Sequence, residues 1–299
     1  MTRVLNLLGG DLPSNLMPPA PGDNELGFWE PDDIVRIHDE LLSSAGSSWD
    51  DVSPFPESWY GSNVVDGFRE RILHILERDF SRSAIFVLKD PRICRLLPFW
   101  LTLLEQFGAD PRFIIVIRNP LEVAASLKAR NHFLPSKSIL LWLWHLLEAE
   151  RETRGRKRSF TFYEDLLEDW SDVAARVSKE LDIPWPRLSH ETSVRIEEFL
   201  SSSHRHHSYR PQDLAIRADI ADWAKQVYHA VLTSWKAPRR LAKTLDEISR
   251  ELNIADAAFG PLIAQARLDL TTRNQTIEIL SCELGAREKE QAEKNEEIV

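Results

Sequence analysis

An arginine at the end of an apolar run is the strongest candidate for chemistry in this sequence. The run 113–117 is apolar at every position and is followed by Arg118, Asn119 and Pro120. Asparagine caps helices and proline suits a first helical turn, so the pattern predicts a strand that ends at Arg118 and a helix after it. In an open α/β sheet, ligands bind where parallel strands end and helices begin. Arg118 could hold a phosphate there, or it could pair with a nearby carboxylate.

The elements around this junction alternate between β-type and helical patterns. The β-type runs are 84–88, 113–117 and 159–163. Because the middle run is apolar throughout, we expect a central parallel strand that is covered on both faces. This alternation is typical of an α/β sheet with flanking helices. The helices that we predict up to the third run are 1–8, 32–45, 64–79, 95–107, 121–129 and 137–153.

The composition excludes several classes of protein. The 299 residues include 37 Lys and Arg against 47 Asp and Glu, which gives a net charge of −10 and argues against a general binder of nucleic acids or membrane surfaces. Cys94 and Cys282 are too few for a disulfide framework or a cysteine zinc site. We therefore predict a protein of a reducing compartment, the cytoplasm, with no transmembrane segment and no secretory signal.

The C-terminal part of the chain has a different character. We predict three parts: an α/β domain over 1–210, helices that complete it over 211–260, and a charged helix over 261–299. In the last part Ile263, Leu270, Ile277 and Leu284 recur every seven residues, but the second heptad row includes arginine and lysine. The helix could be solvated along its length, or it could form a coiled coil through which the chain self-associates.

Four blocks of this sequence resemble, in order, the bacterial branch of the sulfotransferases that use 3′-phosphoadenosine 5′-phosphosulfate, within the P-loop-containing nucleotide triphosphate hydrolase superfamily. Arg118-Asn119-Pro120, with Ser126 eight residues after the arginine, is similar to the 3′-phosphate-binding motif. The other blocks are Leu88 to Arg92, Tyr163 to Leu167, and the acceptor-side loop of Leu16 to Pro19 with Gly27 to Glu30. Together they cover about residues 1–210.

The resemblance implies a fold and a reaction. The fold is a three-layer α/β structure, a parallel sheet with helices on both faces. The reaction is the metal-free transfer of a sulfuryl group from the nucleotide co-substrate to a hydroxyl or amine of a carbohydrate, lipid or small-molecule acceptor.

The resemblance also implies roles for individual residues. Arg118 and Ser126 bind the 3′-phosphate and Tyr163 lies near the adenine. Lys89 lies near the transferring sulfuryl group, and Lys89 or Arg92 stabilises the departing phosphate oxygens. The alternatives are that Ser126 is a packed helix residue and that Tyr163 is an ordinary strand end.

Glu30 is the candidate base that takes the acceptor proton, because some branches of the family place a glutamate in a comparable loop. Its alternative role is to stabilise the dipole of the helix that begins at Asp32. For Lys89 and Arg92 the alternative is a surface turn that is closed by the pairing of Lys89 with Asp90.

Two further basic segments could have a binding role or could be ordinary solvent-exposed turns and loops. The segment 151–158 holds five basic residues and could attract an anion, but a solvated turn suits it better. The segment 204–207, His-Arg-His-His, could ligate a metal, but it has no nearby carboxylates or cysteines at metal-site spacing. We expect a polar loop there, and the resemblance implies that this loop supplies basic residues to the cofactor.

One part of the family pattern does not occur in these 299 residues. The resemblance implies a first strand and a loop like Arg-Ser-Gly-Thr that holds the 5′-phosphosulfate, whereas residues 1–8 correspond to the helix that follows that loop. Either the loop lies upstream of Met1, or the chain is a non-catalytic homologue that acts as a binding or oligomerisation module. A nucleotide kinase is disfavoured, because no Gly-Lys-Ser/Thr loop is present.

Overall fold

The computed structural model describes residues 1–20, 24–200 and 209–296. Within these ranges the chain is an α/β protein, mostly helical, with a small parallel sheet. It divides into two compact units, Met1–Asp246 and Glu247–Val299. The elements are α1 (Thr2–Leu7), α2 (Asp32–Ser44), α3 (Val65–Phe80), α4 (Leu97–Phe107), β1 (Phe113–Ile117), α5 (Pro120–Asn131), α6 (Pro135–Glu152), β2 (Arg158–Phe162), α7 (Tyr163–Glu168), α8 (Trp170–Leu181), α9 (His190–Phe199), α10 (Pro211–Ala215), α11 (Asp222–Ser234) and α12 (Pro238–Glu296). Short 3₁₀ turns lie at Glu57–Gly61 and Pro91–Cys94.

The sheet of the described residues consists of β1 and β2, which run parallel. Phe113 lies opposite Arg158 and Ile117 lies opposite Phe162, and α5 and α6 form the crossover between the strands. Because the strands are parallel and in register, their carboxyl ends meet at one edge of the sheet. The prediction that β1 is covered on both faces was wrong, since Val116 is 47% exposed.

The predicted strand at 84–88 is reduced to a single bridge. Asp11 pairs in parallel with Phe86: the Asp11 N–H donates to the Ile85 carbonyl at 2.9 Å, and the Val87 N–H donates to the Asp11 carbonyl at 2.9 Å. The α/β class is therefore confirmed, whereas the described residues contain a two-stranded sheet in place of the predicted larger one.

Helices supply most of the core. The apolar faces of α2, α3 and α4 pack into one cluster, to which Phe86, Leu88 and Phe113 add their side chains. A second cluster joins Val4 of α1 to Ala174 of α8 and Ile196 of α9. The helices therefore hold the ends of the 84–88 segment and of β1 in fixed positions.

The start of α5 follows from its cap. The Asn119 side-chain oxygen accepts from the Leu121 N–H at 3.0 Å, and Pro120 occupies the first turn. This confirms the predicted strand-to-helix junction directly after Arg118.

None of the helices in the described part of the chain is both long enough and apolar enough to cross a membrane.

Candidate functional site

Arg118 stands at the carboxyl end of β1 and is oriented by the helix that follows. Its Nε donates to Oε2 of Glu122 at 2.9 Å, and Glu122 is fully buried. The second oxygen of Glu122 accepts from the Tyr209 N–H at 3.1 Å. Among the described residues, no hydrogen bond uses the two terminal nitrogens of the Arg118 guanidinium. The predicted carboxylate pairing is present, yet it leaves free the two nitrogens that would face a phosphate.

Tyr163 lies beside Arg118, at the carboxyl end of the neighbouring strand. It is the first residue of α7, directly after β2. The guanidinium carbon of Arg118 lies 4.8 Å from the centre of the Tyr163 ring, which is cation–π distance. The structure thus brings together two residues that are 45 positions apart and that the sequence assigned to one ligand.

Ser126 lies further along α5, four residues after Glu122 and so on the same face of the helix. Its side chain is half-buried, and in the described ranges its hydroxyl makes no hydrogen bond. The structure therefore leaves Ser126 able to donate to a ligand on that face.

Glu30 and Lys89 form an ion pair across 59 positions of sequence. The Lys89 ammonium also contacts the Phe28 carbonyl at 3.4 Å. Burial raises the pKa of Glu30, and the adjacent Lys89 charge opposes that rise. Lys89 pairs with Glu30, whereas Asp90 pairs with Arg92, so the pairing of Lys89 with Asp90 that the alternative required was wrong.

A buried hydrogen-bond chain supports the segment after Lys89. Asp90 accepts from Nδ1 of His38 at 2.7 Å, and Nε2 of His38 accepts from the Trp100 indole N–H at 2.9 Å. Because an indole nitrogen can only donate, the proton of the neutral His38 ring lies on Nδ1. Burial alone would raise the pKa of Asp90, but hydrogen bonding to His38 and the charge of Arg92 lower it to about 2.

Sequence reasoning missed His38. The available signal was its place on the apolar face of α2 with Ile34 and Leu41, since a histidine at a core position needs polar partners.

The Arg92 guanidinium pairs with two carboxylates. Its Nε donates to Asp39 at 2.7 Å and its terminal nitrogen donates to Asp90 at 3.1 Å. Only 14% of its side chain is exposed. Lys89, at 39%, is the more accessible cation of the two.

The start of α1 lies close to Lys89. Burial, and then repulsion from the Lys89 charge, lower the pKa of the Met1 amino group to about 6. The Met1 side chain packs in the same apolar cluster as Ile114 of β1. Met1, the residue that precedes α1, therefore lies near both Lys89 and β1.

The predicted residues form two groups. Arg118 and Tyr163 are in contact, and Glu30 and Lys89 are in contact, but no hydrogen bond or ion pair of the described residues joins the groups.

The other basic segments have different outcomes. In the segment 151–158 each basic side chain for which a contact is described meets an acidic one: Arg154 and Arg158 pair with Glu150, and Lys157 pairs with Asp182. This favours the solvated turn over an anion site. The segment 204–207 lies outside the described residues.

Comparison of the chain with family models, with curated proteins and with solved structures gave no match.

Proposed function

We propose that this chain is a sulfotransferase-like protein that binds 3′-phosphoadenosine 5′-phosphosulfate and transfers its sulfuryl group to a hydroxyl or amine of a carbohydrate, lipid or small-molecule acceptor. The observation that carries the proposal is the contact between Arg118 and Tyr163 at the carboxyl ends of two parallel strands. A cation with free terminal nitrogens beside an aromatic ring can take a phosphate and a base together. Four sequence blocks in family order add to this geometry.

The phosphate end of the site depends on Glu122. Glu122 accepts from Nε of Arg118, and no hydrogen bond of the described residues uses the two terminal nitrogens of the guanidinium. Those nitrogens match the two oxygens of a phosphate. Ser126, on the same face of α5 as Glu122, offers a hydroxyl donor to a third oxygen.

The chemistry is assigned to Glu30 and Lys89. The acceptor oxygen attacks sulfur in line, the bond between sulfur and the bridging phosphate oxygen breaks, and Glu30 takes the acceptor proton. Lys89 stabilises the negative charge that develops on the departing bisphosphate. Because burial raises the pKa of Glu30, its carboxylate is a stronger base than an exposed one.

The first test is the binding of adenosine 3′,5′-bisphosphate by isothermal titration calorimetry. We expect Arg118→Ala to weaken binding about 30- to 150-fold, the scale of a lost charged hydrogen bond of about 2–3 kcal/mol. Arg130→Ala, which removes an exposed arginine from the same helix, is the matched control and should bind as the parent does. Equal binding by Arg118→Ala and the parent would show that the phosphate site is misassigned.

A second test separates catalysis from binding alone. Radiolabelled sulfuryl transfer to a panel of acceptors is measured for the parent and for Glu30→Gln. Turnover by the parent that Glu30→Gln loses, while bisphosphate binding is kept, supports an enzyme with Glu30 as base. Binding without turnover on any acceptor would favour the non-catalytic homologue.

A further inference from the structure

A row of exposed apolar side chains runs along α12. Ile263, Leu270, Ile277 and Leu284 lie seven residues apart, and the last three are each 59% exposed. Phe259, at 62%, precedes Ile263 by four residues. A contiguous apolar stripe of this length on an exposed helix marks an interaction surface.

The stripe is a heptad pattern in which the second row is also mostly apolar. Along the helix, residues of the two rows follow one another at alternating spacings of four and three positions, as in a coiled coil. We call the two rows together the α12 seam; the first row is Ile263, Leu270, Ile277 and Leu284, and the second row is Phe259, Ala266, Arg273 and Leu280. The seam spans roughly 38 Å of helix at 1.5 Å per residue, between three and four heptads.

The proline within α12 does not obstruct this face. At 100° per residue, Pro261 lies on the side of the helix opposite the centre of the seam. Its ring and its missing N–H therefore lie away from a partner helix that docks on the seam.

We propose that the α12 seam docks against the same seam of a second copy of this chain, with the two helices antiparallel. In that arrangement first-row residues face second-row residues of the partner helix. The layers over 259–284 then pair Phe259 with Leu284, Ile263 with Leu280, Ala266 with Ile277, and Leu270 with Arg273, so that three of the four kinds of layer are apolar on both sides.

The sizes and charges of the side chains select the antiparallel arrangement. A parallel pair in register would place Arg273 against Arg273 and leave a gap between two Ala266 side chains. In the antiparallel pair Arg273 lies beside Asp269 of the second copy, so that two symmetric ion pairs form across the seam. The small Ala266 meets the larger Ile277. This proposal does not depend on nucleotide binding.

The oligomeric state of the full chain tests the docking. We expect sedimentation equilibrium to give twice the mass of the chain, and Ile277→Glu to give the mass of the monomer. Leu268→Glu and Ile279→Glu are matched controls, because these residues are 61% and 60% exposed but lie off the seam. A monomeric parent, or equal loss of the dimer in all three variants, would overturn the proposal.

Cysteine cross-linking tests the orientation. In a Cys282→Ser background, which removes an exposed thiol, the Ala266→Cys and Ile277→Cys chains are mixed, allowed to exchange and then oxidised. We expect a disulfide only between the two different chains. A disulfide between two Ala266→Cys chains alone would show a parallel pair and contradict the antiparallel assignment.

Discussion

At the scale of single residues, several polar side chains are buried in pairs that only the folded chain brings together. Glu148 of α6 is one such side chain. Its Oε2 lies 3.8 Å from Nε of Arg95, beyond hydrogen-bond distance, and both atoms are buried. Burial raises the pKa of Glu148 to about 7, against the opposing charges of Arg95 and Arg151.

This pKa shift predicts how stability depends on pH. The pKa of Glu148 is higher in the folded chain than its ordinary value of 4.5, so the folded chain holds the proton more tightly. Its contribution to the free energy of unfolding is complete below about pH 4.5 and is lost as pH rises through about 7. We expect Glu148→Gln to gain on the order of 2–3 kcal/mol relative to the parent between pH 4 and pH 8.

Urea unfolding at several pH values measures this difference. Glu105→Gln, which changes an exposed glutamate of α4, is the control and should follow the parent at every pH. If the difference between Glu148→Gln and the parent does not change with pH, Glu148 does not carry the buried proton.

At the scale of elements, the junction between β1 and α5 holds the candidate site in place. Asn119 is fully buried and makes two hydrogen bonds: it accepts from the Leu121 N–H of α5, and its amide donates to the Tyr209 carbonyl at 3.2 Å. Since the Tyr209 N–H also donates to Glu122, two hydrogen bonds join residue 209 to the start of α5, directly after Arg118.

Asn119→Ala removes the cap and leaves buried groups without partners. We expect a loss of about 2–3 kcal/mol in the free energy of unfolding, measured by urea titration. Asp169→Ala removes the exposed cap of α8, which accepts from two backbone N–H groups, and should cost about 1 kcal/mol. A smaller loss for Asn119→Ala than for Asp169→Ala would contradict this account of the junction.

The sequence predicted elements better than contacts. The amphipathic pattern of α2 and the Asn119 cap of α5 placed both helices within two residues of their observed ends. The 84–88 segment has strand composition, but strand structure needs a neighbour in register, which a local pattern does not contain. For the same reason the pairing of Glu30 with Lys89 could not be predicted from periodicity. The pairing of Arg118 with Glu122 had a local signal, because the two lie four positions apart.

At the scale of the whole molecule, the net charge of −10 does not attract anions, so an anion has to be bound by a local group of positive side chains. The six residues to which the sequence assigned roles all lie in the unit Met1–Asp246, whereas the α12 seam lies in Glu247–Val299. The ten tryptophans of the chain also lie between positions 29 and 235. Tryptophan fluorescence therefore reports the unfolding of the unit that carries the candidate nucleotide site.

That optical separation allows a last prediction. A ligand that binds only the folded state at 100 times its dissociation constant stabilises it by about 2.7 kcal/mol. For a unit of this size we expect adenosine 3′,5′-bisphosphate to raise the midpoint of the tryptophan-detected thermal transition by roughly 5–10 °C. Arg118→Ala should unfold cooperatively without ligand and gain little from it, and adenosine 5′-monophosphate, which lacks the 3′-phosphate, should shift the parent less. An equal shift of the parent by both nucleotides would mean that Arg118 does not recognise the 3′-phosphate, because the phosphate that distinguishes them would then contribute nothing to binding.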